Sequence, residues 1–144
     1  MSTQNATPID SFEKKVILFW KISLISLASI GLSTGGFRIG GFWSSYMLDI
    51  TGPAWGYILI RSQYKSKDAT FLSFRLSQEH SALLIIVTCF IVETSQYLEL
   101  YDSYFDPYDY LAYISAVIPL FIIDKMISAK IRNLNSLLQE SEIK

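Results

Sequence analysis

The sequence predicts an all-α polytopic membrane protein, four transmembrane helices in a compact bundle with both termini cytoplasmic. Two observations carry this expectation. The 51% of residues that are hydrophobic are gathered into four blocks along the 144-residue chain, with the charges pushed between them. A bilayer hydrocarbon core needs about 20 such residues per crossing helix. The Lys and Arg residues also sort by alternate loops. Eleven of the twelve (Lys14, Lys15, Lys21, Arg61, Lys65, Lys67, Arg75, Lys125, Lys130, Arg132 and Lys144) fall on one side of such a bundle, and Arg38 alone on the other. Basic residues accumulate on the cytoplasmic side of a membrane. A soluble four-helix bundle has no reason to sort them.

The elements follow in order. Residues 1–10 are polar and carry no structural signal, as expected of a short tail. The first apolar block, residues 16–32, follows Lys14 and Lys15 and predicts a span over about 14–33, with Lys21 snorkelling from its early part. A cleaved signal peptide would share the basic flank but not Lys21 or the three later apolar blocks. A Gly-rich connection over 33–41 carries Arg38. The second block predicts a span over about 42–61. It is the least apolar, with Asp49, Gly52 and Pro53, and taken alone it reads as a helix of a soluble core.

Residues 61–80 form the longest polar segment. Its Phe71, Leu72, Phe74 and Leu76 predict a short surface helix or an early entry into the third span. The lone His80 reads as an interfacial hydrogen-bonding residue, not a ligand. The third block, about 81–100, is the clearest span. Its Leu, Ile, Val and Phe residues outweigh the roughly 2.5–3.5 kcal/mol cost of a central carboxylate, Glu93. The fourth span is predicted over about 108–125, with Pro119 inside it and Asp109 favourably placed in its first turn. From Ile123 onward Ile127, Ile131, Leu134 and Leu138 recur at steps of three or four. That spacing predicts an amphipathic cytoplasmic tail over 126–144 lying along the membrane face.

Composition narrows the function. A formal charge of −1 gives no reason to expect a nucleic-acid partner. One cysteine, Cys89 within an apolar run, permits no intrachain disulfide or cysteine cage. Nucleophile–His–acid sets, phosphate-cradling Gly loops and paired His ligands are all missing from the sequence. Nothing in it calls for a cofactor, and catalysis has little support.

The informative stretch is residues 92–113. Glu93 and Gln96 lie one turn apart on one helix face, followed by Asp102, Asp106 and Asp109 with no Lys or Arg among them. Carboxylates at the edge of hydrocarbon are expensive to keep there. Counted from the outer ends of their predicted spans, Asp49 lies roughly 12 Å deep and Glu93 roughly 10 Å, at 1.5 Å per residue. At such similar depth the two are expected to share a proton if they face one another. The candidate binding residues are therefore Asp49, Glu93, Gln96, Asp106 and Asp109, with Arg38 as the one nearby fixed positive charge. A divalent cation on Asp102, Asp106 and Asp109 would have suitable hard ligands, although the spacing matches no ion-binding loop.

Glu93-x-x-Gln96, then Phe105-Asp106-Pro107-x-Asp109 opening an apolar helix, resembles the pattern of VanZ-like membrane proteins. Asp49 resembles an acidic position of the same group. The resemblance covers the second half of the chain by motif and the first half by hydropathy. Two positions depart from it: Tyr113 stands where the family commonly has Asn, and Ala116 where it has Gly. The chain is nearer to relatives with a Phe-Asp-Pro-x-Asp-x-x-Ala-Tyr pattern. The resemblance implies a protein of the bacterial cytoplasmic membrane, and of the cell envelope more broadly.

Three readings of the acidic stretch stand side by side. The first is a site open to the outer leaflet for an envelope lipid headgroup or an amphiphilic antibiotic. The second is a small proton- or ion-coupled transporter whose titrating groups lie here. The third is structural, with polar residues that tie helices together or dock a membrane-protein partner or a second copy of the chain.

Overall fold

The computed structural model describes residues 8–36, 40–63, 76–100 and 105–142. Arg38, Lys65, Lys67, Phe71, Leu72, Phe74, Arg75, Asp102 and Lys144 lie outside the described residues. The described chain is four helices with no strand: α1 (Pro8–Gly36), α2 (Phe42–Gln63), α3 (Gln78–Tyr97) and α4 (Asp109–Glu142). Three are long and apolar enough to cross a membrane, over Ser11–Thr34, Gln78–Tyr97 and Asp109–Glu140. The sequence predicts four such helices. The second, α2, has the length at 22 residues but is not among those three.

The reason lies in what α2 touches. It packs against α1, α3 and α4, and it supplies buried Thr51, Pro53, Ala54, Tyr57 and Ile58. A helix enclosed by three others needs shape rather than apolar surface. Small residues supply that shape. A Cβ on Gly31 of α1 would collide with Oγ1 of Thr51, so the two helices meet only because residue 31 has no side chain. A Cβ on Gly56 would sit 3.3 Å from the Ile85 side chain of α3. On α4, buried Ala112 and Ala116 repeat the device four residues apart. Small residues so placed let helix backbones approach closely.

The exterior is apolar. Leu18, Ile22, Ile25 and Leu32 on α1, Leu83 and Ile91 on α3, and Leu111, Ile122 and Met126 on α4 are all exposed. The interior, by contrast, holds buried Thr51, Ser81, Glu93, Asp109 and Asp124 beside a small apolar core that includes Tyr57, Ile58, Tyr113 and Val117.

Helix ends follow local chemistry. Ser77 caps α3: its hydroxyl accepts the His80 N–H at 3.2 Å and pairs with the His80 ring Nδ1 at 2.8 Å. The single histidine is thus a capping partner. At the other end α3 stops at Tyr97, earlier than the predicted limit near residue 100. The Glu99 N–H donates to the Gln96 carbonyl and the Leu100 N–H to that of Ser95, with Glu99 at φ 53°. This is the Schellman arrangement, which satisfies the last carbonyls while turning the chain out of the helix. Glu93 therefore lies one turn, roughly 6 Å, below the helix end.

Helix α4 runs unbroken for 34 residues, about 51 Å at 1.5 Å per residue. The amphipathic stretch expected over 126–144 continues the same helix as far as Glu142, with Ile127, Ile131 and Leu134 half-buried. The Lys130 ammonium lies 4.8 Å from the centre of the Phe12 ring of α1. Asp124, near the end of the predicted fourth span, is buried within the bundle.

Candidate functional site

The site is built on the turn that leads into α4. Asp106 begins it, Pro107 holds the second position, and the Asp109 N–H closes it on the Asp106 carbonyl at 3.0 Å. Asp at the first position and Pro at the second suit such a turn, since proline's φ is already set. Phe105 anchors the turn sideways. Its ring meets Tyr97 of α3 at 5.1 Å and Tyr110 of α4 at 6.3 Å, both edge-on. Tyr110 in turn meets Phe90 at 4.6 Å, and its hydroxyl lies 3.2 Å from Oγ1 of Thr94.

Glu93 is fully buried, and both of its oxygens are used. Oε1 accepts the Asp106 N–H at 3.1 Å and Oε2 accepts the Tyr113 hydroxyl at 3.0 Å. Asp106 is equally committed: Oδ1 accepts the Tyr108 N–H at 2.9 Å and Oδ2 accepts the Tyr46 hydroxyl at 2.8 Å. Together these two acids join α2, α3 and α4 at one end of the bundle. Buried carboxylates persist when donors satisfy their oxygens in this way.

Asp49 and Asp109 differ from that pair. Asp49 is half-buried on α2. It is close enough to Glu93, Asp106 and the Tyr113 hydroxyl to interact with each. Asp109 is 9% exposed, and its Oδ1 is buried without a hydrogen-bond partner. The charges of Asp49, Glu93 and Asp106 all act on it. No Lys or Arg among the described residues pairs with any of the four.

The sequence places Asp49 and Glu93 at one depth, and in the structure the two lie close enough to act on each other. Glu93 and Asp106 carry the hydrogen bonds that join the helices, with Asp49 and the unpartnered Oδ1 of Asp109 beside them. The Gln96 side chain makes no hydrogen bond to a described residue, and Gln96 contributes its carbonyl to the helix cap. Arg38 and Asp102 lie outside the described residues. Among the described residues no three or more His, Cys, Asp or Glu side chains are arranged to hold a metal ion. Tyr113, where the chain departs from the VanZ-like pattern, proves to be a direct partner of Glu93.

Beside the acids, a groove of about 380 Å³ opens between α2 and α4. Phe42, Ile50, Leu111 and Ala112 give it an apolar lining, and Tyr46 and Ser115 add hydroxyls. Tyr46 and Ile50 flank Asp49 on α2, while Ala112 lies one turn beyond Asp109 on α4. The other buried polar atom without a partner, Nε1 of Trp43, is at this same end of α2.

Sequence reasoning missed a second polar cluster at the opposite end. Asp124 accepts Nε–H of Arg61 in an ion pair and the Tyr57 hydroxyl at 3.1 Å. Arg61 also donates to the Leu76 carbonyl at 3.1 Å. Gln78 at the start of α3 donates to the Asp124 carbonyl at 3.0 Å and to Ser128 Oγ at 2.6 Å. The signal for it was a basic residue closing one apolar block and an acidic residue closing another, at matching depth.

Comparison with family models, with curated proteins and with solved structures finds no match to this chain.

Proposed function

We propose that this chain is a VanZ-like integral protein of the bacterial cytoplasmic membrane, with all four helices crossing it and both termini cytoplasmic. Its acidic site lies near the outer leaflet and binds the headgroup of an envelope lipid or an amphiphilic antibiotic, and Arg38 contacts phosphate. The observation that carries the reading is Asp109, buried with its Oδ1 lacking a partner and with the half-buried Asp49 beside it, inside a bundle whose exterior is apolar. A purely structural cluster would be expected to satisfy such groups, as the same end of the molecule does for Glu93 and Asp106. The sorting of basic residues supports the orientation.

The structural reading also has its own observation, the hydrogen bonds of Glu93 and Asp106 across three elements. The two readings divide the site between different residues.

Two measurements test the proposal. In a Cys89→Ser background, Leu100→Cys should react with an impermeant thiol reagent on intact cells, and Ser136→Cys only after permeabilisation. The reverse pattern would refute the orientation. Protein extracted with its surrounding lipid should carry one headgroup class enriched at least threefold over the bulk membrane. Asp49→Asn with Asp109→Asn should abolish the enrichment. Equal composition in wild type and variant would refute headgroup binding.

A further inference from the structure

We infer that the site takes a two-part ligand, an amphiphile with a protonated amine against Asp49 and Asp109 and an apolar chain in the groove between α2 and α4. The inference rests on the headgroup-binding reading and specifies the chemistry of the ligand.

The polar half follows from Asp109, with Asp49 beside it. Asp109 Oδ1 is buried and unpartnered, and an ionised carboxylate oxygen accepts and does not donate. What completes the carboxylate must bring N–H or O–H donors. The surrounding carboxylates Asp49, Glu93 and Asp106 act on the same point, so a cation is favoured over a neutral donor. The acids are not arranged as a metal cage. An ammonium suits them better, since it offers three donors in rotatable directions and needs no fixed coordination shell.

The apolar half follows from where the groove begins. Successive helix residues are turned by about 100°. Tyr46 and Ile50 therefore lie on strips adjoining that of Asp49, and Ala112 on a strip adjoining that of Asp109. The groove they line lies open on its outward side. Its volume lies within the roughly 300–1,000 Å³ of small-molecule sites. Tyr46 joins the groove to the acids, since it lines the groove and its hydroxyl donates to Asp106 at 2.8 Å. A ligand with charge and chain joined end to end matches that sequence of environments.

Native mass spectrometry of the full chain, released from phosphatidylcholine nanodiscs equilibrated with one probe at a time, tests this. The probes are dodecylamine, dodecanol and butylamine. Dodecylamine should be retained at least tenfold more than either of the others. Asp109→Asn and Asp49→Asn should each reduce it to the dodecanol level, and Ser115→Phe, which fills the groove from an exposed position, should reduce it to the butylamine level. Equal retention of dodecanol would overturn the inference, because the chain alone would then be recognised. Equal retention of butylamine would overturn the two-part ligand while leaving headgroup binding intact. Retention of no amine would overturn the inference outright, and the lipid-enrichment measurement then decides separately whether another headgroup occupies the site.

Discussion

The two ends of the bundle handle buried charge in opposite ways. At one end one carboxylate, Asp124, meets one guanidinium, Arg61, and Tyr57 adds a hydroxyl to the same oxygen. At the other end four carboxylates gather, with tyrosine hydroxyls and backbone N–H groups as the donors that reach them among the described residues. The Asp124 cluster pairs opposite charges. The other is acidic, and Oδ1 of Asp109 is left without a partner. Burial alone therefore does not single out a residue in this fold, since Asp124 and Glu93 are as buried as Asp109.

The strongest way to break this contrast is to attack the Arg61–Asp124 pair. Asp124→Ala leaves Arg61 without its counter-charge, and such truncations cost about 3–5 kcal/mol. Reversible unfolding in detergent or bicelles should show that loss. Arg61→Met combined with Asp124→Leu should recover most of it, since a matched apolar pair removes both charges together. If Asp124→Ala were neutral, the Arg61–Asp124 cluster would not be a clamp.

A smaller effect is expected at Glu93. Glu93→Ala strands the Asp106 N–H and the Tyr113 hydroxyl in a dry site, at about 1–3 kcal/mol for each buried group left unsatisfied. Glu93→Gln should cost less than about 1 kcal/mol, because an amide can accept from the Asp106 N–H and donate to the tyrosine oxygen. Thermal unfolding of the two variants side by side reads the difference. Equal destabilisation would show that the negative charge, not the hydrogen-bond pattern, holds this end.

The smallest effect sharpens the comparison most. Asp109→Asn should change stability by no more than about 0.5 kcal/mol. The helix dipole loses a favourable charge in the first turn, and the neighbouring acids lose a repulsive one. A loss as large as that of Asp124→Ala would place Asp109 among the structural residues.

Much of this was legible in the sequence. Four apolar blocks gave four helices, and the placement of Asp49, Glu93, Asp106 and Asp109 at one end followed from residue counting. The hidden part was pairing. Depth arithmetic brings Asp49 and Glu93 to one level but says nothing of rotation about each helix axis, which sets Glu93 against Asp106 and Tyr113. Hydropathy likewise sets α2 apart from the other helices, because Thr51, Pro53 and Gly56 lower its apolar score while packing against its neighbours. The end of α3 was misplaced because Leu98 and Leu100 look like helix interior. A left-handed Glu99 carries no strong signal in sequence, since glycine is the residue that usually marks such a position.

One consequence concerns the order in which the chain is made. Helix α4 and its leading turn are made after the other three helices, yet they hold the partners of Tyr46, Tyr57, Arg61, Gln78 and Glu93. A nascent chain that has delivered only its first three helices carries a guanidinium and a carboxylate, far apart along the helices, that must wait for their mates. Those groups stay uncovered until residues 105–142 follow. A stop codon just before that segment would therefore yield no smaller working protein, but a three-helix fragment marked for degradation by the polar groups it cannot cover.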